Sequence, residues 1–296
     1  MSQRSAKPLR EALATATGLR LRPAPTSEVA GGCINECLRW ESSGGPLFVK
    51  VAPAERLPMF EAEAEGLDEL AVAGACRVPR ALGSGMAAGR AFLALEWVDF
   101  GPTTARAESL LGEQLAMQHR VTAPRFGWRR GNTIGSTDQH NDWDPDWTNF
   151  YAEHRLRYQL DLADRNGYNG RLTDTGRKLC EHVGAFFASY RPVPSLLHGD
   201  LWGGNWAATP SGQPVLFDPA VYFGDRETDI AMTRLFGGFG PSFYAAYDGS
   251  WPLDRDASIR QTLYNLYHVL NHLNLFGGGY QAQAERMIDS LLAKCR

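Results

Sequence analysis

The hydrophobic pattern changes period near Phe100, and that change constrains the fold more than any single residue. Before it, EVAGGCINECLRWES and PLFVKVAP alternate as strands around an SSGG turn, the signature of an antiparallel pair. VPRALGSGM and GRAFLALEWVDF read as two more strands with a Gly-rich turn between them. A short helix is expected from Leu9 to Leu19. A second is expected from Pro58, with Phe60, Leu67 and Leu70 on one face. After Phe100 the spacing is helical in SLLGEQLAMQHR, TNFYAEHRLRYQLDLA, TDTGRKLCEHVGAFFASY, SIRQTLYNLYHVLNHLNLF and QAQAERMIDSLLAKC. Residues 122–147, rich in Gly, Asn and Asp, carry three tryptophans, which argues for an ordered, functional loop over a disordered one. The expected architecture is α+β and two-lobed. Residues 1–98 would form a small antiparallel sheet lobe with one helix, and residues 99–296 a larger, mainly helical lobe.

Two lobes suit a chain of 296 residues, which is long for one small core. A net charge of −3, with no basic run interleaved with aromatics, gives no electrostatic pull toward nucleic acid or an anionic membrane. No run of about eighteen apolar residues suggests a membrane span. The N-terminus has no apolar core of the kind a secretory signal needs. The five cysteines are scattered without CxxC spacing, so neither a zinc site nor a disulfide framework is expected. A cytoplasmic, reduced protein, monomeric and without nucleic-acid or membrane partners, is the expectation.

The densest chemistry lies in LLHGDLWGGN and, after a PSGQ turn, in VLFDPA. Asp200 and Asn205 have the D-x-x-x-x-N spacing of a kinase catalytic loop, where a carboxylate takes the proton of an attacking hydroxyl and an amide oxygen holds Mg²⁺. Asp and Asn also cap turns in Gly-rich loops, so the spacing alone leaves both uses open. Asp218, ending the apolar VLF strand, supplies a second carboxylate for the metal, although a strand-end aspartate can also bond its own loop. Upstream, Lys50 in FVKV would be costly unpaired in an apolar strand. Glu63 is its expected partner, in competition with Glu61 and Glu65, because it leads Leu67 and Leu70 on the inward face. Gly31 and Gly32 would let a turn approach a triphosphate, and Glu96 and Val98 could meet adenine through backbone groups. Cys33, directly after those glycines, is a candidate for reversible oxidation and for a redox-dependent dimer.

The order of these features, together with GGCINE, MFEAEAEGLDEL, NTIGSTDQ, FGGFGPSFYAAY and LNHLNLFGGGY, resembles the fructosamine/ketosamine kinases, relatives of protein kinases and aminoglycoside phosphotransferases. The resemblance spans nearly the whole chain. It implies a protein-kinase-like fold and ATP-dependent, Mg²⁺-dependent phosphorylation of the third-carbon hydroxyl of ribulosamine, erythrulosamine or fructosamine adducts, a deglycation activity. It also implies Asp200 as catalytic base, Asn205 and Asp218 as metal ligands, Lys50 with Glu63 as phosphate anchor, and Trp202 and His272 at the sugar. Another small-molecule kinase of the same fold, of aminoglycoside or choline type, and an inactive nucleotide-binding module are the alternatives. Gly199 stands where protein kinases carry a catalytic-loop arginine and no Ala-Pro-Glu segment follows, so no activation-loop control is expected. Asp229, in RETDIA, is expected to cap a helix and bond the catalytic loop.

Overall fold

The N-terminal run of small and leucine residues forms α1 (Gln3–Thr17), with Ala6, Leu9 and Leu13 buried along one stripe. The structure, a computed structural model, describes residues 3–29 and 35–295. Strands β1 (Ser27–Glu28), β2 (Glu36–Ser42) and β3 (Gly45–Pro53) follow, then α2 (Leu57–Ala73), β4 (Ala81–Ala87) and β5 (Arg90–Glu96). They build one five-stranded sheet in the order β1-β2-β3-β5-β4, in which every neighbouring pair is antiparallel. Alternation sets the faces of β3: Leu47, Val49 and Val51 join Leu38, Trp40 and Phe92 in the core beneath α1. Lys50 therefore points to the other side. The two-residue turn between β2 and β3 is held by the Ser42 hydroxyl, which donates to the Gly45 carbonyl at 2.6 Å.

The helical part opens with α3 (Ala105–Gln118). The long stretch after it contains a small hairpin, β6 (Asn132–Ile134) and β7 (Thr137–Gln139). Next come α4 (Trp147–Tyr151), a π-helical segment (Ala152–Arg157) and α5 (Tyr158–Arg165). Then follow α6 (Arg171–Cys180), β8 (Ser195–Leu197), β9 (Trp206–Ala208), β10 (Pro214–Leu216) and β11 (Tyr222–Gly224). The chain ends in α7 (Glu227–Leu235), α8 (Pro241–Ser250), α9 (Ala257–Phe276) and α10 (Gln281–Lys294). Packing pairs α3 with α8, and sets α9 against α5, α7 and α10. Arg260 on α9 forks onto Glu227 on α7 at 2.8 and 3.0 Å, tying the two helices by a buried, bidentate ion pair.

By contacts the chain divides into two compact units. One comprises the residues up to Thr104 together with Ala207–Pro219, the other Ala105–Trp206 with Ala220 onward. Where the sequence predicts one helix over residues 173–190, α6 stops at Cys180 and a 3₁₀ turn, Val183–Phe187, replaces the rest. The His182 ring nitrogen Nδ1 bonds the Lys178 carbonyl at 2.8 Å, satisfying the last helical turn with a side chain. Among the described residues, no helix is long and apolar enough to cross a membrane.

Candidate active site

Lys50 is a buried, doubly paired charge in the first unit. Its side chain is 5% exposed, with Nζ 2.6 Å from Glu63 Oε1 and 2.7 Å from Asp218 Oδ1. Burial works against the ammonium, but Asp218 and Glu63 more than offset it and hold the lysine above its ordinary pKa. Burial pushes the Glu63 carboxyl up, with Lys50 opposing. The helix carboxylate at Lys50 is thus Glu63, projected from the face of α2 that also buries Phe60, Leu67 and Leu70. Asp218 follows β10 with φ 55°, a left-handed conformation that Asp tolerates better than most side chains. Glu96, at the end of β5, gives its N–H to the Arg80 carbonyl at 2.9 Å and pairs its carboxylate with Arg77 at 3.0 Å. Val98 is half-buried just beyond that strand. Gly31, Gly32 and Cys33 lie outside the described residues.

In the second unit the pairing of β8 with β11 delivers His198, Gly199 and Asp200 to the end of a strand. Asp229, buried on α7, accepts the His198 N–H at 2.7 Å and the Gly199 N–H at 2.9 Å. Its third contact is His119 Nε2 at 3.1 Å. Burial opposes the charge on Asp229, but His119, His198 and the Gly199 N–H outweigh it and lower the pKa. So Asp229 does bond the catalytic loop, while the cap position of α7 belongs to Arg226. Gly199 has φ 82°, and a Cβ there would run into the Ala220 carbonyl, so only glycine fits. Asn205 Nδ2 donates to the Asp200 carbonyl at 2.9 Å and to Asp200 Oδ2 at 3.1 Å, which orients both side chains.

Trp202 is 41% exposed in this loop. His272, on α9, is partly buried, with its ring 4.7 Å from Phe236, 5.4 Å from Phe276 and 5.3 Å from Tyr280. The buried residues that fasten the DPA segment were not found by sequence reasoning. Asn132 Nδ2 donates to the Val221 carbonyl at 2.8 Å and Gln139 Nε2 to the Ala220 carbonyl at 3.2 Å, both from the NTIGSTDQ hairpin. That hairpin was singled out as a family signature; an amide at each of two facing strand positions, Asn132 opposite Gln139, was the available signal. Among the described residues no cluster of three or more His, Cys, Asp or Glu forms a metal centre. A carboxylate and an amide oxygen, from Asp218 and Asn205, are nonetheless the hard oxygen donors that suit Mg²⁺.

A small antiparallel sheet with a carboxylate-paired lysine and a helical part carrying a His-Gly-Asp loop define a kinase-like phosphotransferase fold. The same fold occurs in an aminoglycoside-3′-phosphotransferase, at 20% identity and a TM-score of 0.51, a likeness of fold alone. The description of the fructosamine kinase family matches residues 5–294, and the chain belongs to that family. A probable ketoamine kinase of Synechocystis is 44% identical over 277 residues, covering 93% of each chain. The chloroplastic protein-ribulosamine 3-kinase of Arabidopsis thaliana is 39% identical, covering 99% of this chain and 90% of its own. Among solved structures, a candidate fructosamine-3-kinase from Haemophilus somnus superposes with a TM-score of 0.87 at 28% identity, covering 97% of both chains.

Proposed function

We propose that the protein is an ATP-dependent ketosamine kinase that phosphorylates the third-carbon hydroxyl of ribulosamine-type adducts. The observation that carries this is the likeness to a protein-ribulosamine 3-kinase over 99% of the chain, in a sequence that has Lys50, Glu63, Asp200, Asn205 and Asp218. In this reading Asp200, steadied by Asn205, accepts the hydroxyl proton as the oxygen–phosphorus bond forms and the bond to the departing ADP breaks. Lys50, fixed by Glu63, steadies the ATP phosphates, and backbone at Glu96 and Val98 meets the adenine. Asn205 and Asp218 would hold Mg²⁺, which would supply charge neutralisation on the phosphates. Trp202 and His272 line the sugar. The phosphorylated ketosamine then loses phosphate and frees the amine, a deglycation. Buried thiols outside any disulfide at Cys37 and Cys180 support a reducing, cytoplasmic setting for the enzyme, taken here as a monomer.

An ATP-consumption assay across ribulosyl-lysine, fructosyl-lysine, choline and kanamycin tests the proposal. Turnover is expected with ribulosyl-lysine. Turnover of kanamycin alone would overturn it.

A further inference from the structure

Arg155 is fully buried, and the groups it meets are neutral. Its Nη1 donates to the His140 carbonyl at 2.6 Å and its Nη2 to Asn141 Oδ1 at 2.7 Å. The guanidinium lies 4.7, 4.1 and 5.7 Å from the ring centroids of Phe150, Tyr222 and Tyr267. Among the described residues no carboxylate pairs with it and its Nε has no acceptor, whereas the equally buried Arg260 has Glu227 and Asp254. A buried charge held by neutral groups alone is costly, and an apolar side chain would fill the same volume without that cost. Arg155 also sits in the π-helical segment Ala152–Arg157, a distortion of a kind that concentrates at functional positions.

An arginine can only donate, so Asn141 turns its oxygen toward Arg155 and its Nδ2 away. Asn141 Nδ2 donates to Asn132 Oδ1 at 2.9 Å, and Asn132 Nδ2 passes the direction on to the Val221 carbonyl at 2.8 Å. Gln139 Nε2 joins at Asn132 Oδ1, 2.8 Å away, and reaches the Ala220 carbonyl at 3.2 Å. A donor-only cation heads this chain and acceptor-only carbonyls end it, so the orientation of every amide in it is set. Its far end meets the catalytic loop. The Ala220 N–H donates to the His198 carbonyl at 2.9 Å, and the Ala220 carbonyl is what a Cβ on Gly199 would strike. The peptides after Asp218 thereby seat the peptides before Asp200.

Resting on the kinase reading above, we propose that Arg155 is a positioning residue for phosphoryl transfer. Its charge fixes the amide chain through Asn141, Asn132 and Gln139, and the chain sets the Ala220 peptide against the loop that presents Asp200. Misplacing a catalytic group by about 1 Å costs on the order of 10²-fold in rate, so the effect belongs in kcat. The lysine of the first unit is held by Glu63 and Asp218 through bonds this chain does not share, so the KM for ATP should hold.

The test measures kcat on ribulosyl-lysine, KM for ATP and melting temperature in Arg155→Met, Asn141→Ala and the double variant. Each single change should lower kcat by about 10- to 100-fold and leave the KM for ATP within about twofold. Because both cut one chain, the double variant should lose little more than either single one. Arg155→Lys, which keeps a charge and a donor, should recover part of kcat. Hydrogen exchange at the Ala220 amide should quicken in Asn141→Ala with no substrate present. Parental kcat in Asn141→Ala overturns the inference whether or not Arg155→Met folds. So do losses that multiply in the double variant, or a fall in melting temperature with kcat unchanged. A parent enzyme that turns over no ribulosyl adduct would instead remove the kinase reading and, with it, the role in phosphoryl transfer. Unchanged exchange at Ala220 would remove the chain itself.

Discussion

Lys50 is the buried charge around which the first unit's two carboxylates gather. A strand alternating Leu47, Val49 and Val51 toward the core leaves position 50 on the opposite face, where a buried ammonium needs compensation. Two carboxylates provide it, at 2.6 and 2.7 Å. Because Glu63 is itself buried, Lys50→Met strands a charge rather than simply deleting a contact. Urea denaturation should show a loss of about 3–5 kcal/mol for that variant, the scale of a broken buried pair. Adding Glu63→Gln should recover a sizeable part of the loss, since the orphaned charge goes with it. A double variant no more stable than the single one would refute the pairing argument. Asp200→Asn belongs to the other class, chemistry without architecture. It should keep ATP binding by calorimetry and lose about 10²–10⁴-fold in turnover.

At the scale of elements, the catalytic loop is held by α7, through a single carboxylate. Asp229 takes two consecutive backbone N–H groups and His119, so it fixes the two peptide planes that lead up to Asp200. Its pKa is depressed, so it contributes stability above the unfolded-state carboxylate range and loses it as pH falls through the folded value. Asp229→Asn should cost about 2–4 kcal/mol at neutral pH, as a charged acceptor is replaced by a neutral one. The gap to the parent should close on acidification, when followed by urea titrations at several pH values. A gap independent of pH would sink the assignment.

The sequence singled out Lys50, Glu63, Asp200, Asn205 and Asp218 because Asp200 and Asn205 have a recognisable short spacing and a charge is unusual in an apolar run. The structure pairs Lys50 with Glu63 and Asp218, and Asn205 with Asp200. The sequence also made the sheet strands legible through their turn residues, and the first and last helices legible because each has one wet face. Helix α7 was legible only as a helix start at Asp229, and its extent was not, for the opposite reason. Residues 227–233 are all buried, so no amphipathic stripe exists to be read. The amides Asn132 and Gln139 were likewise illegible as supports, because what they hold, the Ala220 and Val221 carbonyls, lies about eighty residues away in sequence. Helix α8 did carry a signal, Pro241 at its first turn, in a Gly-rich setting that masked it.

At the scale of the whole chain, the first compact unit is discontinuous. Residues Ala207–Pro219 belong to it, and they bring Asp218 with them. A change of hydrophobic period marks where the helices begin, but it cannot register a hairpin that returns after a hundred residues. The return is fastened at four points. Gly101 donates its N–H to the Ala208 carbonyl at 2.8 Å, and Leu216 donates to the Arg77 carbonyl at 2.9 Å. Phe100 stacks on Phe217 with centroids 5.4 Å apart, and Lys50 pairs with Asp218. A fragment ending at Thr104 lacks all four, and its Lys50 keeps only Glu63 among these two carboxylates. Joining residues 207–219 after Thr104 through a short Gly/Ser linker should therefore raise the melting temperature by about 10 °C or more. A few kcal/mol suffices for that in a domain of this size. Asp218→Asn in the joined fragment should give back part of the gain, because it removes one of the four fastenings and leaves the rest. Thermal melts followed by circular dichroism read both effects. If the joined fragment melts no higher than the shorter one, residues 207–219 are not part of the unit's stability and the discontinuous unit is wrong.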